Sequence, residues 1–556
     1  VKFTPEQEEI FTFVREGEGH GIIDAVAGAG KTTTIMACAS FAPNPARVLF
    51  CAFNNSIARE IKRKFGERDM QAVSVKTIHA LGLQLLRQHP EFARRLEIKE
   101  NKYVSIYKSD ALQEKLAPHQ AQLTELSGYA GGGANGKKAF ASKNLAFKIQ
   151  RRLLDISQKH RSCLNGPSRK GFEQLIRHYG IFTAAEEDSE TFSRELPHYY
   201  EMHRILLEAG STMAAERHVI DFTDMIYLPF IWKLESAVKY DWIFIDECQD
   251  LSKAQFAIAA KYGQKGSRIL AVGDPRQSIY GFTGADAESF DRVKRMTKAT
   301  ELPLTTCFRC PKDVISLARE IRPDITGAKR RKGKVAQILP DGLMRIAKPG
   351  DLVISRLRAP LLLLAFEFID RDVKVKVAAD EAAEFLGELK TLFKPDERQA
   401  AIARRFKTFR VLKEQVFARN MWVIRQESAR IKNGDAREKY LEGETEYLEK
   451  RLDFLQKKYK QWKKSCRTVK ALLKRIEDYL SAESDAVRLS TIHRAKGLEE
   501  KRVFILDYDK LPYIRQQQRE WEMEQEENLR YVAITRAEEA LYLVESPKKK
   551  AAEQDK

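Results

Sequence analysis

Cysteine is scarce in this chain. Seven thiols in 556 residues are scattered rather than spaced as a disulfide framework, which fits a reducing compartment and argues against a small stapled secreted fold. Cys307 and Cys310 form the one C-x-x-C pair. With no second pair and no histidine nearby, the four-ligand pattern of a structural zinc site is missing. Also missing is an apolar run long enough to cross a bilayer, so no membrane partner is expected, and the first residues lack a secretory pattern. Negative charge is in short supply: 78 Asp and Glu against 97 Lys and Arg leave a formal charge of +19, which favours a polyanionic partner. Length is not lacking. At roughly 150 residues per domain the chain holds three or four domains, and its 43% apolar and 31% charged residues describe a soluble globular protein.

The stretch Gly21 to Thr34, GIIDAVAGAGKTTT, reads as a buried strand, a glycine turn and a helix start. A phosphate chain needs backbone N–H groups converging on it, and only residues with little side chain let the backbone come so close. Ala27, Gly28, Ala29 and Gly30 form such a turn. Lys31 is placed to reach β- and γ-phosphates, the Thr32 hydroxyl suits Mg²⁺, and Thr33 continues the helix start. Ala25 stands where the strict pattern has its first glycine.

Ahead of this turn, Thr4 and Pro5 read as a cap and a first helical residue. Gln7 carries the donor and acceptor that reading an adenine edge requires. Val48 to Phe53 reads as a second buried strand, with Asn54, Asn55 and Ser56 capping the next helix, and Val73 to His79 as a third strand running into a turn. Side chains at the carboxyl ends of parallel strands face the crevice where such sheets bind ligands. Phe53, Asn54, Thr77 and His79 are therefore candidate contacts to a nucleic-acid strand, with helix capping as the competing use. From about 88 to 215 the strand signals stop, and a helical, basic segment interrupted by Gly131-Gly132-Gly133 reads as an inserted domain. Its Lys137, Lys138, Lys143, Lys148, Arg151 and Arg152 suit a phosphate backbone or a solvated face. Trp242 to Ile245 is a further strand ending in Asp246-Glu247. Adjacent acids there have a specific use: Asp246 to hold the metal that bridges the phosphates, Glu247 to orient and deprotonate the attacking water. Ile269 to Val272 is another strand, and Gln277 beyond it is placed to sense a γ-phosphate.

The blocks AVAGAGKT, CAFNNSIARE, TIHALG, DFTDM, FIDECQD and VGDPRQSIYGFTGAD, followed by Thr306 to Arg309, VRLSTIHRAKGLEE and LRYVAITRA, resemble in content and order the UvrD-like superfamily 1 helicases. The resemblance implies an α/β fold of two RecA-like P-loop motor domains, each with a mostly helical insertion. It places the first motor at 1–87 and 216–300 with a basic insertion at 88–215. The second motor falls at 301–374 and 486–546 with an insertion at 375–485, and a charged tail occupies 547–556. It implies ATP and Mg²⁺ as cofactors, with Gln7 and Phe308 at the adenine, Lys31 and Thr32 at the phosphates and metal, and Glu499 at the ribose. Asp246 would be the metal ligand, Glu247 the catalytic base, and Gln277 the link between ATP state and DNA. Arg309 and Arg536 would reach the γ-phosphate, where such arginines are worth about 10³–10⁵ in rate. Tyr280, Thr491 and His493 would contact DNA, and Phe282 holds a position where an aromatic stacks on a base. Phe308 stands where the family often has Tyr, Thr283 replaces a frequent Arg, and Glu500 a usually aromatic or apolar residue.

The expected activity is ATP-dependent movement on single-stranded DNA, 3′ to 5′ by resemblance, with duplex unwinding in replication, repair or recombination. A protein-stripping translocase or the motor subunit of a nuclease or defence complex is the alternative. The expected partner is single-stranded and junction DNA, bound by a monomer in the cytoplasm of a bacterial or phage-infected cell, or in the nucleus of a eukaryotic one. Within 375–485, Leu448, Leu452, Leu455, Tyr459, Trp462, Cys466, Val469, Leu473, Ile476 and Leu480 repeat at spacings of four and three. This predicts one coiled-coil seam facing Ile402, Phe406, Phe409, Leu412 and Val416 across a turn at Asn433-Gly434-Asp435: an antiparallel arm, and a docking surface for a protein partner. A packed globular domain is the alternative there.

Overall fold

Val48-Leu49-Phe50-Cys51-Ala52 offers no polar position to turn toward water, so its strand is buried along its whole length, as in a parallel sheet covered on both faces. The same holds for most strands of the computed structural model. It describes residues 3–546 except 91, 94, 128–134, 282–287, 403–407, 430–433, 482–483 and 516–517. Gly131-Gly132-Gly133, Phe282, Thr283, Phe406, Asn433 and the tail 547–556 lie outside the described residues, as do the side chains of Lys137, Lys138 and Lys143. The chain divides into two units, one of Val1–Phe308, Asp324–Ala328 and Ile514–Asn528, the other of Arg309–Pro323, Lys329–Tyr513 and Leu529–Lys556. No described helix is long and apolar enough to cross a membrane.

The first unit contains β1 (Gly21–Ala25), β2 (Val48–Ala52), β3 (Ser74–Thr77), β4 (Glu97–Ile98), β5 (Val219–Ile220), β6 (Tyr240–Ile245), β7 (Gly263–Gly273), β8 (Thr300–Leu304), β9 (Thr306–Cys307) and β10 (Thr326–Gly327). Six of them form a parallel sheet in the order β3-β2-β6-β7-β1-β8. Ile23 lies opposite Val272, Asp24 opposite Gly273, and Ile245 opposite Ala271, so β1, β6 and β7 end level with one another. The chain leaves β1 and returns at β2, beyond β7 and β6. That reversal opens a crevice at the carboxyl ends.

Helices Lys102–Tyr107, Asp110–Leu126, Asn135–Cys163, Arg169–Tyr179 and Glu190–Arg217 build a second core in this unit around Phe172, Phe182, Phe192, Tyr199 and Leu206. The segment is not wholly helical as expected: β4 pairs in parallel with β5, because Glu97 and Lys99 amides find the carbonyls of His218 and Ile220. Lys148 and Arg152 both pair with Glu186. Where these helices meet the sheet, charge is buried. Lys102 Nζ lies 2.5 Å from Asp224 and donates to Gly210 O, while Arg161 Nη1 reaches Asp221 at 2.7 Å and Asp224 at 2.8 Å. Tyr103 packs its ring under the Arg161 guanidinium, 3.8 Å away.

The second unit holds β11 (Lys334–Ile338), β12 (Leu352–Ser355), β13 (Val375–Lys376), β14 (Val487–Thr491), β15 (Glu500–Leu506) and β16 (Ala537–Val544), parallel in the order β11-β16-β15-β12-β14-β13. Helices Phe409–Ser428 and Gly434–Trp462 run antiparallel, since Lys413 pairs with Asp453, Thr445 donates to Met421 Sδ, and Tyr440 donates to Glu427. The single seam expected from the repeat is corrected here. The helix stops at Trp462, whose carbonyl takes the amides of Ser465 and Cys466, and Val469–Leu480 is a separate helix capped by Thr468. Extra surfaces explain the break: Ala401 bridges to Thr468, Val377 N donates to Leu480 O, and Phe366 stacks on Phe454 at 3.9 Å. These helices share one core with Arg358–Asp370 and Ala379–Thr391, so they form a packed body rather than a free arm.

Asp224→Asn leaves Lys102 and Arg161 short of a buried counter-charge and should cost about 3–5 kcal/mol of unfolding free energy in urea; a loss under about 1 kcal/mol would show that the ion cluster does not hold the helices to the sheet. A second expectation concerns acid. Burial drives His160 down to about 4 and His203 well below its ordinary value, and neither His203 ring nitrogen has a hydrogen-bond partner among the described residues. The unfolded chain takes up protons at these rings below about 6.5 while the folded one resists until about 4, so stability falls as pH drops through that window. In His203→Phe, urea unfolding at pH 7 and pH 5 should differ less than in the wild type.

Candidate functional site

Helix Pro5–Glu16 begins with a capping box: Thr4 N donates to Gln7 Oε1 at 3.0 Å and Gln7 N to Thr4 Oγ1 at 3.2 Å. The remaining end of the Gln7 amide donates to Thr34 Oγ1 at 2.8 Å. This fixes Gln7, 5% exposed, against the first turn of helix Lys31–Ala39. Between β1 and that helix the backbone is left-handed at Gly28 (φ 69°) and Gly30 (φ 79°), while Ala27 and Ala29 are buried. Phe308 N donates to Gly28 O at 2.9 Å. This brings an aromatic ring that is 43% exposed beside the turn. Thr33 faces solvent.

The level ends of β1, β6 and β7 gather the polar groups. Thr32 Oγ1 donates to Asp246 Oδ2 at 2.8 Å, and Lys31 Nζ lies 3.8 Å from Glu247 Oε1. Burial, with Glu247 alongside, pushes the Asp246 carboxyl up to about 6. A buried acid beside a hydroxyl and short of positive charge is a hard-oxygen donor set, and Mg²⁺ fits it. Glu247 holds a left-handed backbone (φ 54°, ψ 45°), a conformation that costs a non-glycine residue roughly 1–3 kcal/mol and is retained where the surroundings impose it. Gln249 Nε2 donates to Glu247 Oε2 at 2.5 Å, and Gln249 Oε1 accepts from Asp274 N at 3.1 Å. Gln277 Nε2 in turn donates to Asp274 Oδ2 at 2.6 Å. One hydrogen-bonded chain thus links Glu247, Gln249, Asp274 and Gln277. Gly273 allows it, since a Cβ there would meet Gln249 Oε1 at 2.6 Å and Cys248 Sγ at 2.8 Å.

On the same unit, Phe53 and Tyr280 stack at 6.3 Å with planes 17° apart. Asn54 and Thr77 accept from Ile57 N and Ala80 N as helix caps, and burial lowers the His79 pKa.

In the second unit, Arg309 Nε lies 2.5 Å from Glu499 Oε2 and its Nη1 donates to Thr535 O at 3.1 Å. Arg536, 1% exposed, donates to the carbonyls of Val532 and Leu498 and to Thr535 Oγ1. Burial, with Arg309 near, brings Arg536 down to about 10. Thr491 and His493 lie at the end of β14, and burial, helped by Arg356, lowers His493 to about 4.

Residues 3–298 match the UvrD/REP helicase N-terminal domain, and residues 486–544 match the UvrD-like helicase C-terminal domain. This chain belongs to the UvrD/REP helicase family. DNA helicase IV of Escherichia coli (strain K12) is 23% identical over 410 residues, covering 70% of this chain and 53% of its own length. A probable DNA helicase of Mycoplasma pneumoniae is 22% identical over 345 residues, 60% of this chain and 58% of its own. ATP-dependent DNA helicase PcrA of Staphylococcus epidermidis is 23% identical over 327 residues, 55% and 38%. The chain spans about half the length of the curated relatives it matches.

Within this UvrD/REP member, sequence reasoning missed Gln249, Thr34 and Glu6. Glu6 takes the Thr305 amide at 3.0 Å and the Thr305 hydroxyl at 2.5 Å, just ahead of Phe308. Gln249 was findable, because a buried acid at a strand end demands donors and Gln249 is two residues away. Gly30 has nothing within 4 Å of a built Cβ, so Gly30→Ala should cost about 1–2 kcal/mol through the left-handed backbone alone. Unchanged urea stability would mean that the turn does not hold Gly30 at positive φ.

Proposed function

We propose that this UvrD/REP family chain is an ATP-driven motor on single-stranded DNA that opens duplexes, running 3′ to 5′ on single-stranded and junction DNA as a monomer. The observation carrying this is the meeting of Lys31, Thr32, Asp246 and Glu247 at the level ends of β1 and β6. The motors are 1–87 with 216–300, and 301–374 with 486–546; 88–215 and 375–485 are their insertions.

ATP enters beside Gly28 and Gly30, with Phe308 available to stack on the base and Lys31 to meet the β- and γ-phosphates. Thr32 and Asp246 would hold Mg²⁺, which supplies neutralisation of charge on the phosphoryl oxygens. Glu247 accepts the proton of the attacking water, and Gln249 keeps that carboxylate aimed. Arg309 and Arg536 serve the transferring phosphoryl group once Arg309 leaves Glu499, which then becomes available to the ribose. Gln277, through Asp274 and Gln249, relays the nucleotide state to the strand-binding edge marked by Phe53 and Tyr280. Thr491 and His493 belong to the corresponding edge of the second motor. The +19 charge supports a polyanionic partner.

Glu247→Gln keeps the shape and removes the base, so it should cut ATP turnover by about 10²–10⁴ while ATP and oligothymidylate binding persist. Steady-state ATPase with and without oligothymidylate checks this. Wild-type hydrolysis indifferent to the strand would overturn the DNA-motor reading.

A further inference from the structure

The tetrapeptide start Thr-Ile-His occurs twice at a strand end, as Thr77-Ile78-His79 after β3 and Thr491-Ile492-His493 after β14. In the first copy the threonine behaves as a helix cap, its hydroxyl oxygen accepting from Ala80 N at 3.3 Å. In the second it does not cap the turn Ile492–Ala495. The difference is Glu381, in the first turn of helix Ala379–Thr391. Its Oε1 accepts the Thr491 amide at 3.0 Å and the Thr491 hydroxyl at 2.8 Å. Glu381 is 0% exposed, and its Oε2 has no hydrogen-bond partner among the described residues. Arg494 Nε lies 3.5 Å from Glu381 Oε1, and Arg494 also pairs with Asp380. Burying a carboxyl to hold one threonine is costly unless the hold matters. No comparable acid receives Thr77.

We propose that Glu381 is a positioning residue for DNA binding. By accepting both Thr491 donors, it turns the threonine away from its capping role and sets the orientation of the turn that carries His493 and Arg494. Helix Ala379–Thr391 lies at the root of the 375–485 insertion, so grip on the strand depends on an element outside the motor sheet. This rests on reading Val487–Glu500 as part of the strand-binding edge.

The test is ATPase of the full chain titrated with oligothymidylate at saturating ATP. Glu381→Ala should raise the half-saturating strand concentration about tenfold, the loss expected for a charge-assisted hydrogen-bond pair. Its KM for ATP and its rate at saturating strand should hold within about twofold. Glu381→Gln, whose amide oxygen still accepts both donors, should stay near wild type. Thr491→Val should repeat the Glu381→Ala loss, and the double variant should add nothing to it. Unchanged half-saturation in Glu381→Ala, a loss shared with ATP KM and turnover, or additive losses in the double variant would overturn the assignment. Should Glu381→Ala not fold, unchanged half-saturation in Thr491→Val, or a tenfold loss in Glu381→Gln, would do the same. Failure of the motor reading would show separately, as a wild-type rate that ignores the strand.

Discussion

Asp246 is closed off from water at the end of β6 with the Thr32 hydroxyl 2.8 Å away, and an acid so placed is stable as an anion only when a cation shares the site. Much of the first unit follows from satisfying that requirement. The Thr32 hydroxyl reaches Asp246 because the glycine turn starts helix Lys31–Ala39 directly after β1. β1 and β6 present their ends together because both pair with β7 in a fixed parallel register. Glu247 accepts a left-handed backbone in the same turn, and Gln249 and Gly273 are shaped around it. The apolar strands behind these residues are the frame; the acids at their ends are what the frame is for.

The degree to which this was readable from sequence varies with the range of the interaction. Residues 21–34 announce strand, turn and helix because the signal is local: an apolar run, small residues at positive φ, and a cap. The paired acids after Ile245 were legible for the same reason. The Thr4 cap and Pro5 start also follow from adjacent residues. Contacts across many residues were not legible. Glu381 and Thr491 are 110 positions apart, and no spacing rule connects them. The heptad-like repeat after Leu448 shows where apolar faces lie but not how many helices carry them, and the chain turns at Trp462 because additional helices compete for those faces. Position alone did not separate capping from binding either. Asn54 and Thr77 cap their helices, whereas Thr491, in the same local sequence as Thr77, does not.

The two halves of the expected γ-phosphate machinery differ in how they hold their arginines. Arg309 is met by the half-exposed carboxylate of Glu499, an arrangement that water and a competing anion can dissolve. Arg536 is enclosed and held by backbone carbonyls, which fixes its direction whatever occupies its surroundings. One guanidinium is free to respond and the other serves as a fixed reference.

The ion cluster of Lys102, Arg161, Asp221 and Asp224 divides its charges unevenly between segments. Both cations belong to the helical insertion, and both acids belong to the strand-and-helix stretch that resumes after it. A fragment comprising 88–215 alone would therefore carry two buried positive charges with no acid to meet them, and the remaining chain two buried negative ones. The insertion is thus not a detachable cassette: its interior was completed by residues on the far side of its own boundary.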